Sequence, residues 1–316
     1  MPLTTYSTGS ALAASIREDL TDIISNIDPA DTPFFSMIES TVARSTTHEW
    51  LLDDLEPVSA AGAAEGASFA HAVTRRPVRS TNTTQILRRD FEVTDTMRAV
   101  DNAGMTDAFA YQLDKGMREL ARNTESALLA ATAAAGSAST ARTMNGLSKW
   151  MPLFATTAVL GDPLDILTSA AQNHSVAAVA TEINETVLNT LLENMWDQGA
   201  KTDTILVNAA GKVDITGFTA GSTIQRNIDG SAGDTIRNSI MYYQSDFGNL
   251  SIHLSRHNVS GECYAFQRDL FAKAFLQPTR AEEYARTTDA QPGSVYHEVT
   301  LEVRNPYGLG RITGVS

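Results

Sequence analysis

The spacing of apolar residues predicts one long amphipathic helix in the first half of the chain. The apolar positions recur every three or four residues, as one face of an α-helix requires, at Phe109, Leu113, Met117, Leu120 and Leu128. The pattern continues to about Ala134, which makes a helix of about 28 residues and about 40 Å. Gly116 permits a bend or a close contact in its middle. We expect the apolar stripe to form a core against the strand that contains Leu301 and Val303.

Two short helices are predicted before residue 45. Ser15 and Glu18 form a capping box, and the helix that they open has one apolar face. A Thr32-Pro33 start, with proline at the first helical position, opens the second helix. Since neither helix has a partner nearby in the sequence, we expect an arm that packs on another part of the assembly. Its apolar residues are Ile16, Leu20, Ile23, Ile24, Phe34 and Met37.

Residues 46–52 and 85–97 are rich in β-forming residues and flank a stretch of small residues at 59–72, which predicts a long two-stranded excursion. Its charges are segregated. Acidic residues lie on the outgoing limb, at Glu49, Asp53, Asp54 and Glu56, and arginines lie on the return limb, at Arg75, Arg76, Arg79, Arg88 and Arg89. Two interpretations are open. The charges pair across the hairpin, or the hairpin, which is not stable alone, lies on a neighbouring subunit through them.

The second half of the chain mixes helix and strand, so the predicted class is α+β. A helix is expected at about 181–198, ended by Gly199, with a buried face made of Val187, Leu188, Leu191, Leu192, Met195 and Trp196. Short strands are predicted at 204–207, 239–244, 250–255, 264–267 and 270–276, with further strands at 295–303 and 311–315.

The overall charge narrows the function classes. The chain has 316 residues with 37 Asp+Glu against 24 Lys+Arg, a net charge of −13. Sequence-specific DNA binding requires a basic surface, so this balance argues against it. The single cysteine, Cys263, excludes a disulfide framework and indicates a protein made in a reducing cytoplasm. No apolar run has the length of a membrane helix.

Candidate catalytic and metal-binding motifs are weak. His253 and His257 are four residues apart, but in a predicted strand and turn that spacing does not point both rings at one centre. Gly308-Leu309-Gly310 resembles the start of a dinucleotide-binding loop, yet too few residues follow it for the required helix. Cys263 is expected to be a buried structural thiol. No catalytic, cofactor or metal site is predicted, and we do not expect an enzyme.

The order of the elements and a series of short motifs resemble the major capsid proteins of tailed bacteriophages. The motifs occur in sequence order from residue 18 to residue 305: Glu18-Asp19-Leu20-x-Asp22, Asp31-Thr32-Pro33-Phe34, Thr47-His48-Glu49-Trp50, Ala110-Tyr111-Gln112, Gly146-Leu147-Ser148-Lys149-Trp150, Tyr243-x-Ser245-Asp246-Phe247-Gly248 and Thr300-Leu301-Glu302-Val303-Arg304-Asn305. Each motif is short, and it is their joint order that carries the resemblance.

The resemblance implies the Johnson-type capsid fold. Its parts would be an N-terminal arm (1–45), an extended β-hairpin loop (46–97), a peripheral domain with a long spine helix (98–180 with return strands at 290–316) and an axial domain (181–289). The implied function is self-assembly into the hexamers and pentamers of an icosahedral head, assembled in the host cytoplasm as the virion capsid. Two alternatives are an encapsulin-like bacterial nanocompartment shell and an unrecognised cytoplasmic enzyme.

The same resemblance implies partners and a mode of stabilisation. The head would enclose double-stranded DNA without sequence-specific binding and would contact a portal, a separate scaffolding protein and possible cement proteins, but no membrane. Some members of the fold cross-link a loop lysine to a neighbour's asparagine. Arginine cannot replace that lysine because its guanidinium stays protonated. None of the five lysines, Lys115, Lys149, Lys201, Lys212 and Lys273, lies in 46–97, so a non-covalent shell is expected.

Overall fold

The structure is a computed structural model that describes most of the chain. The described residues are 31–53, 62, 64–68, 77–100, 105, 107–130, 132–137, 139–150, 175–179, 182–218, 242–286 and 288–315. The first predicted arm helix, with Ile16, Leu20, Ile23 and Ile24, lies outside them, and so do Asp54, Glu56, Arg75 and Arg76 of the predicted hairpin.

The described residues form six α-helices, two short 3-10 helices (Arg268–Leu270 and Pro306–Gly308) and twelve strands. The helices are α1 (Pro33–Met37), α2 (Asp95–Ala99), α3 (Ala108–Ala130), α4 (Leu147–Trp150), α5 (Glu185–Asp197) and α6 (Ala209–Thr216). The strands are β1 (Glu39–Val42), β2 (Thr47–Leu52), β3 (Val78–Thr83), β4 (Gln85–Thr94), β5 (Ser175–Ala177), β6 (Thr204–Val207), β7 (Tyr242–Ser245), β8 (Gly248–Leu254), β9 (Glu262–Phe266), β10 (Phe271–Glu283), β11 (Ala290–Val303) and β12 (Leu309–Thr313).

The strands form two mixed sheets and one hairpin. One sheet has the order β1-β10-β11-β4, in which β1 is parallel to β10 and the other pairs are antiparallel. The second has the order β5-β12-β9-β6-β8-β7, in which β5–β12 and β6–β8 are the parallel pairs. Among the described strands, β2 and β3 pair with each other and with no third strand. The predicted α+β class is confirmed.

The long helix α3 packs across β4 and β11. Leu120 and Leu128 are 1% and 0% exposed, as the apolar stripe predicts, and Phe109 is buried against Phe91 and Val93. At the C-terminal end of the helix, Leu128 shares one apolar core with aromatic and aliphatic residues of both sheets, including Phe266, Phe271, Leu301 and Val303.

Three details of the predicted helix are wrong. The helix ends at Ala130, Met117 is 44% exposed, and Leu113 is only half-buried. The cause is Gly116, which lies on the inner face, where an added Cβ would be 3.7 Å from the Val295 side chain. Successive helix residues are about 100° apart, so a helix that buries Gly116 turns Met117 outward.

A second core lies between the six-stranded sheet and helices α5 and α6. The predicted face of α5 is buried at Val187, Leu188, Leu191, Leu192 and Met195. Trp196, expected on the same face, is instead 59% exposed. Cys263 is buried here as predicted, and burial raises the pKa of its thiol to about 11.

The two sheets do not follow the predicted segment boundaries at two strands. Strand β10, placed in the segment 181–289, pairs with β11 in the four-stranded sheet. Strand β12, placed with the return strands of 290–316, pairs with β9 and β5 in the six-stranded sheet. In chain order β9 lies in the six-stranded sheet, β10 and β11 lie in the four-stranded sheet, and β12 lies in the six-stranded sheet again, so the chain crosses between the sheets before β10 and after β11.

The predicted hairpin is also shorter than expected. Strand β2 pairs with β3, in a register that places Trp50 opposite Ser80. The segment 85–97, expected as the return limb, forms β4 and α2, and β4 pairs with β11 instead. Arg88 and Arg89 therefore lie on the four-stranded sheet and not on the hairpin, which is a correction to the sequence prediction.

Truncation of Leu120 should destabilise the subunit strongly. Leu120→Ala removes a fully buried side chain from the interface of α3 with the sheet, and we expect a loss of about 2–5 kcal/mol in unfolding free energy. Met117→Ala, on the exposed side of the same helix, is the matched control and should change stability by about 0.5 kcal/mol or less. Urea denaturation of unassembled subunits, followed by circular dichroism, measures both, and equal losses would contradict the packing described.

Stability should also depend on pH through His297, which is 2% exposed between α3 and β10. The Thr124 hydroxyl donates to the Leu120 carbonyl (2.7 Å) and so accepts from the His297 Nε2–H (2.9 Å), while Thr279 donates to Nδ1 (3.1 Å). The ring is therefore neutral, and burial lowers its pKa from 6.5 to about 4.

Between these two values the unfolded chain binds a proton that the folded chain does not. Unfolding free energy should therefore fall as the pH drops from 6.5 to about 4, by at most about 3 kcal/mol from this residue. His297→Gln should give a shallower loss over the same range in denaturation curves measured at several pH values. Parallel curves for the variant and the wild type would show that His297 does not titrate in this way.

Candidate functional site: the polar anchors of the hairpin and of helix α1

Strand β11 is buried on both faces, and the two faces differ in chemistry. One face is mainly apolar, with Val295, Val299 and Leu301 0% exposed and His297 as a buried polar member at 2%. The opposite face is polar and nearly as well buried, at Ser294, Glu298, Thr300 and Glu302. Alternate residues of a strand point to opposite faces. The polar face therefore requires polar partners, and the hairpin and its flanking segments supply them.

Asn82, on β3, attaches the hairpin to the backbone of β11. Its amide nitrogen donates to the carbonyls of Leu301 (2.7 Å) and Asn145 (3.0 Å). Its side-chain oxygen accepts from the backbone N–H groups of Thr83 and Asn145, both at 2.9 Å. The side chain is 3% exposed, and all four of its hydrogen-bonding positions are used.

Glu298 is a buried carboxylate on the polar face, 4% exposed. Thr84, which joins β3 to β4, donates to it at 2.5 Å, and the Arg142 guanidinium pairs with it at 2.5 Å. Thr300 donates to the Thr83 carbonyl at 3.0 Å. These bonds fix the point at which the chain leaves the sheet to form the hairpin.

Glu302 ties three further segments to β11. It accepts hydrogen bonds from Thr41 (3.1 Å), His48 (3.0 Å) and Arg304 (3.1 Å), and Arg304 also pairs with Glu39 at 2.7 Å. Burial alone would raise the pKa of Glu302, but the three hydrogen bonds outweigh it and hold that pKa below its usual value. Strands β1 and β2 are thereby fixed to the same carboxylate.

Two tryptophans complete the base of the hairpin. The rings of Trp50, on β2, and Trp150, on α4, are 5.5 Å apart at an angle of 43°. Trp150 is 2% exposed and belongs to the main core. Aromatic pairs of this geometry contribute about 0.5–1.5 kcal/mol beyond the area that they bury.

Within one chain, the described charges of the hairpin pair across its two strands, which is the first of the two interpretations. Arg79 pairs with Glu49 across β2 and β3 at 3.2 Å, and both side chains are largely exposed, at 67% and 44%. Asp53 follows directly after β2. On the four-stranded sheet, Arg88 pairs with Asp90 (2.9 Å) and Arg89 pairs with Glu119 of α3.

Helix α1 begins with proline at its first position, as predicted, but it packs on its own subunit. Phe34 is 0% exposed in the main core, 5.5 Å from the Phe266 ring, and Met37 packs partly buried against that core. Strand β1 then continues into the four-stranded sheet. The expectation that Phe34 and Met37 belong to an arm that packs on another part of the assembly is therefore wrong, because the main core of their own chain covers them.

Two buried charges hold the ends of α1. The carboxylate of Glu125, on α3, accepts from the backbone N–H groups of Phe34 (3.0 Å) and Phe35 (2.7 Å). At the other end, the Lys273 ammonium, on β10, donates to the carbonyls of Phe35 and Ile38 and lies 4.0 Å from the Phe35 ring centre. A carboxylate at the N-terminus and an ammonium at the C-terminus both match the direction of the helix dipole.

Burial controls the protonation of this pair. It raises the pKa of Glu125 against the lowering effect of the two backbone N–H donors. It lowers the pKa of Lys273, against the opposing effect of the nearby Glu125 charge. Neither residue was singled out from the sequence. The available signal was weak: Glu125 follows the polar run Arg122-Asn123-Thr124 and lies three residues before the apolar Leu128.

The described part of the chain has neither a metal-binding group of side chains nor a membrane-spanning helix. No three His, Cys, Asp or Glu side chains there are grouped as a metal site requires. No helix among the same residues is long and apolar enough to cross a membrane.

Comparison with known proteins decides the family. The model of the family described as SU10 major capsid protein matches residues 2–316. The chain belongs to this family. The capsid protein is also 24% identical, over an alignment of 325 residues, to the major capsid protein of Escherichia phage Phieco32, with 91% of each chain covered.

Solved capsids have the same fold. The native GTA particle capsid superposes with a TM-score of 0.67 at 11% identity, covering 98% of this chain and 100% of the other. The mature capsid of bacteriophage PhiM1 gives 0.65 at 8% identity, with 94% and 91% covered. The capsid of cyanophage P-SCSP1u gives 0.61 at 11% identity, with 95% and 93% covered.

The predicted capsid fold and the predicted role are confirmed at this level: this is a major capsid protein of a tailed phage, and it forms the virion capsid. Nothing in the comparisons supports a nanocompartment shell or an enzyme. The hairpin root (Trp50, Asn82, Thr84, Glu298 and Glu302) and the α1 clamp (Glu125 and Lys273) are thus parts of a shell subunit.

Removal of the Glu125 carboxylate should destabilise the capsid protein and loosen α1. Glu125→Ala leaves two buried N–H groups without acceptors and Lys273 without its counter-charge, so we expect a loss of about 3–5 kcal/mol. Asp114→Ala, which breaks the exposed Asp114–Arg118 pair (2.7 Å) on the same helix, should cost about 0.5 kcal/mol or less. Urea denaturation measures both variants, and similar losses would show that the clamp is unimportant.

Proposed function

We propose that this capsid protein assembles into the hexamers and pentamers of an icosahedral head, with the β2–β3 hairpin lying on a neighbouring subunit. The proposal rests on a difference between the two ends of the hairpin. Buried hydrogen bonds attach its root to β11, but among the described strands β2 and β3 pair with each other and with no third strand. An isolated two-stranded ribbon is marginal in water, and Leu51 on it is 67% exposed.

The two sheets support an assignment of domains. In this proposal the four-stranded sheet with α3 is the peripheral domain, α3 is its spine helix, and the six-stranded sheet with α5 and α6 is the axial domain. The hairpin is the extended loop. The arm is then the part of the chain before α1, because α1 and β1 are built into the body.

The acidic balance of the chain suits a wall around double-stranded DNA. Phosphate binding depends on cations, and the net charge of −13 disfavours adhesion of the genome to the shell. A portal, a separate scaffolding protein and cement proteins are further partners proposed from the resemblance. In this view the protein is structural and has no catalytic role.

The shell is proposed to be non-covalent. An isopeptide cross-link requires an uncharged lysine amine next to a carboxylate. Lys273 has both a lowered pKa and a nearby glutamate. It is only 7% exposed, however, and its amine is bonded to two carbonyls of its own subunit. Lys115, on the outer side of α3, belongs to an exposed ion pair with Glu119.

Charge reversal on the hairpin tests the proposed neighbour contact. Replacement of Arg75, Arg76 and Arg79 by Glu should impair assembly and leave the subunit folded, because interfacial charges set register and association rate. Electron microscopy and light scattering measure shell yield, and circular dichroism checks the fold. A yield equal to that of the wild type would overturn the contact.

A charge swap separates the two interpretations of the hairpin charges. The Glu49→Arg, Arg79→Glu double variant restores the pair within the hairpin (3.2 Å in the wild type) but reverses both charges toward any neighbour. If the neighbour contact matters, the swap should assemble as poorly as Arg79→Glu alone. Full recovery of shell yield would assign the pair to the hairpin only.

Denaturing gels test the non-covalent shell. Boiled mature particles should run as one band near 34 kDa, the mass of the single chain. A ladder of covalent oligomers in the wild type would contradict the proposal. The Lys115→Arg variant would then show whether the lysine of α3 is its source.

A further inference from the structure

The six-stranded sheet has an exposed aromatic pair at one end. Trp196 is 59% exposed and Phe247 is 36% exposed, and their ring centres are 6.1 Å apart. Trp196 lies in the last turn of α5, and Phe247 lies in the turn between β7 and β8. Burial of Trp196 was expected from the sequence. The structure leaves it outside its own core, and we call this pair the aromatic end.

An exposed aliphatic pair lies at the opposite end of the same sheet. Leu254, the last residue of β8, is 52% exposed and is in register with Val207, the last residue of the parallel strand β6. Helix α6 begins two residues after Val207 and carries Val213, which is 71% exposed. Strand β8 has seven residues at about 3.3 Å each, so this aliphatic end is about 20 Å from the aromatic end.

The charges around the two ends are of opposite sign. The exposed charges next to the aromatic residues in the chain are mainly acidic: Glu193 and Asp197 lie near Trp196 on α5, Asp246 precedes Phe247, and Lys201 is an exposed cation just after α5. The aliphatic end has exposed Arg256 and half-buried Lys212, and Asp214 there accepts from the Ile183 N–H (2.8 Å). An acidic rim around aromatic rings thus complements a basic rim around aliphatic side chains.

We infer that the aromatic end of one subunit binds the aliphatic end of the next, and that this contact closes the ring of each capsomer. Two complementary patches on opposite ends of one domain make a heterologous contact, and heterologous contacts repeated by rotation give closed rings. The occupant is a second copy of this chain, since the charges of the two ends match each other. The inference rests on the proposed assembly into hexamers and pentamers.

Engineered disulfides test the contact directly. Cys263 is 1% exposed, with a pKa raised to about 11, so the native thiol does not interfere. In shells of the Phe247→Cys, Leu254→Cys double variant, oxidation should link successive subunits into a ladder that ends at the pentamer and hexamer. Shells of either single variant should give monomers only, because residue 247 of one copy faces residue 254 of the next and not another residue 247.

Two results would overturn the inference. One is a double variant that forms shells without disulfide-linked oligomers. The other is dimers in a single-variant shell, which would indicate a two-fold contact. The matched control is the Val42→Cys, Leu254→Cys pair, in which Val42 is 74% exposed but lies on the four-stranded sheet. Failure of the wild-type protein to form shells would instead refute the proposed function itself.

A charge swap gives an independent readout that needs no cysteine. Asp246→Arg should reduce shell yield in light scattering, and the added Arg256→Asp substitution should restore it, because the pair then attracts again with the signs exchanged. Circular dichroism of the unassembled subunits confirms that both variants fold. A double variant with the low yield of the single variant would count against the contact between these two rims.

Discussion

The burial of both faces of β11 is the constraint on which the subunit depends. A strand with a buried apolar face needs an apolar helix or sheet packed against it, whereas a polar face is usually exposed to water. Because β11 has one buried face of each kind, α3 must cover the first, and groups that supply hydrogen bonds must cover the second. Asn82 and Thr84 of the hairpin root supply some of them, and Arg142, from the segment before α4, supplies another. A single strand therefore determines both where the core lies and where the hairpin starts.

Buried ionic groups at these anchors specify geometry more than they add stability. Removing a charge from water is costly, and a well-packed apolar replacement of a buried pair is often as stable. Glu298 and Glu302 nevertheless accept bonds from segments that are far apart in sequence, so only one arrangement of those segments satisfies them. The same reasoning applies to Glu125 and Lys273, which bond the opposite ends of the five-residue helix α1. In the proposed shell the direction in which the hairpin leaves the sheet must be fixed, because a small change of that direction at the root displaces more distant residues of the hairpin further.

The sequence predicted elements well and their partners less well. The stripe of α3 and the buried face of α5 follow from local periodicity, and both were found. Met117 and Trp196 were misplaced because an apolar residue on the flank of a stripe looks the same in sequence whether its own core or another subunit covers it. The pairing of β4 with β11 joins residues about 200 positions apart, for which local patterns carry no signal. Strand β10 lies between β9 of one sheet and β11 of the other in the chain, and no local pattern shows which of the two sheets it joins. The buried charges were missed for the same reason, since Glu125 acquires its role only from α1, about 90 residues earlier.

The charge pairs at the hairpin root are more deeply buried than the charge pair on the hairpin itself. The pairs that fix the subunit, such as Arg142–Glu298, have a carboxylate with a side chain only 5% exposed, whereas Arg79 and Glu49 on the hairpin are 67% and 44% exposed. At physiological ionic strength salt largely screens exposed charges that are more than about 8–10 Å apart and weakens exposed pairs, but it affects buried pairs much less. In the proposed assembly, ionic strength would therefore act on the hairpin contacts between subunits, while the anchors within each subunit would keep their geometry. A shell built in this way can correct misplaced subunits during assembly, since weak outer contacts dissociate before the fold that presents them is disturbed.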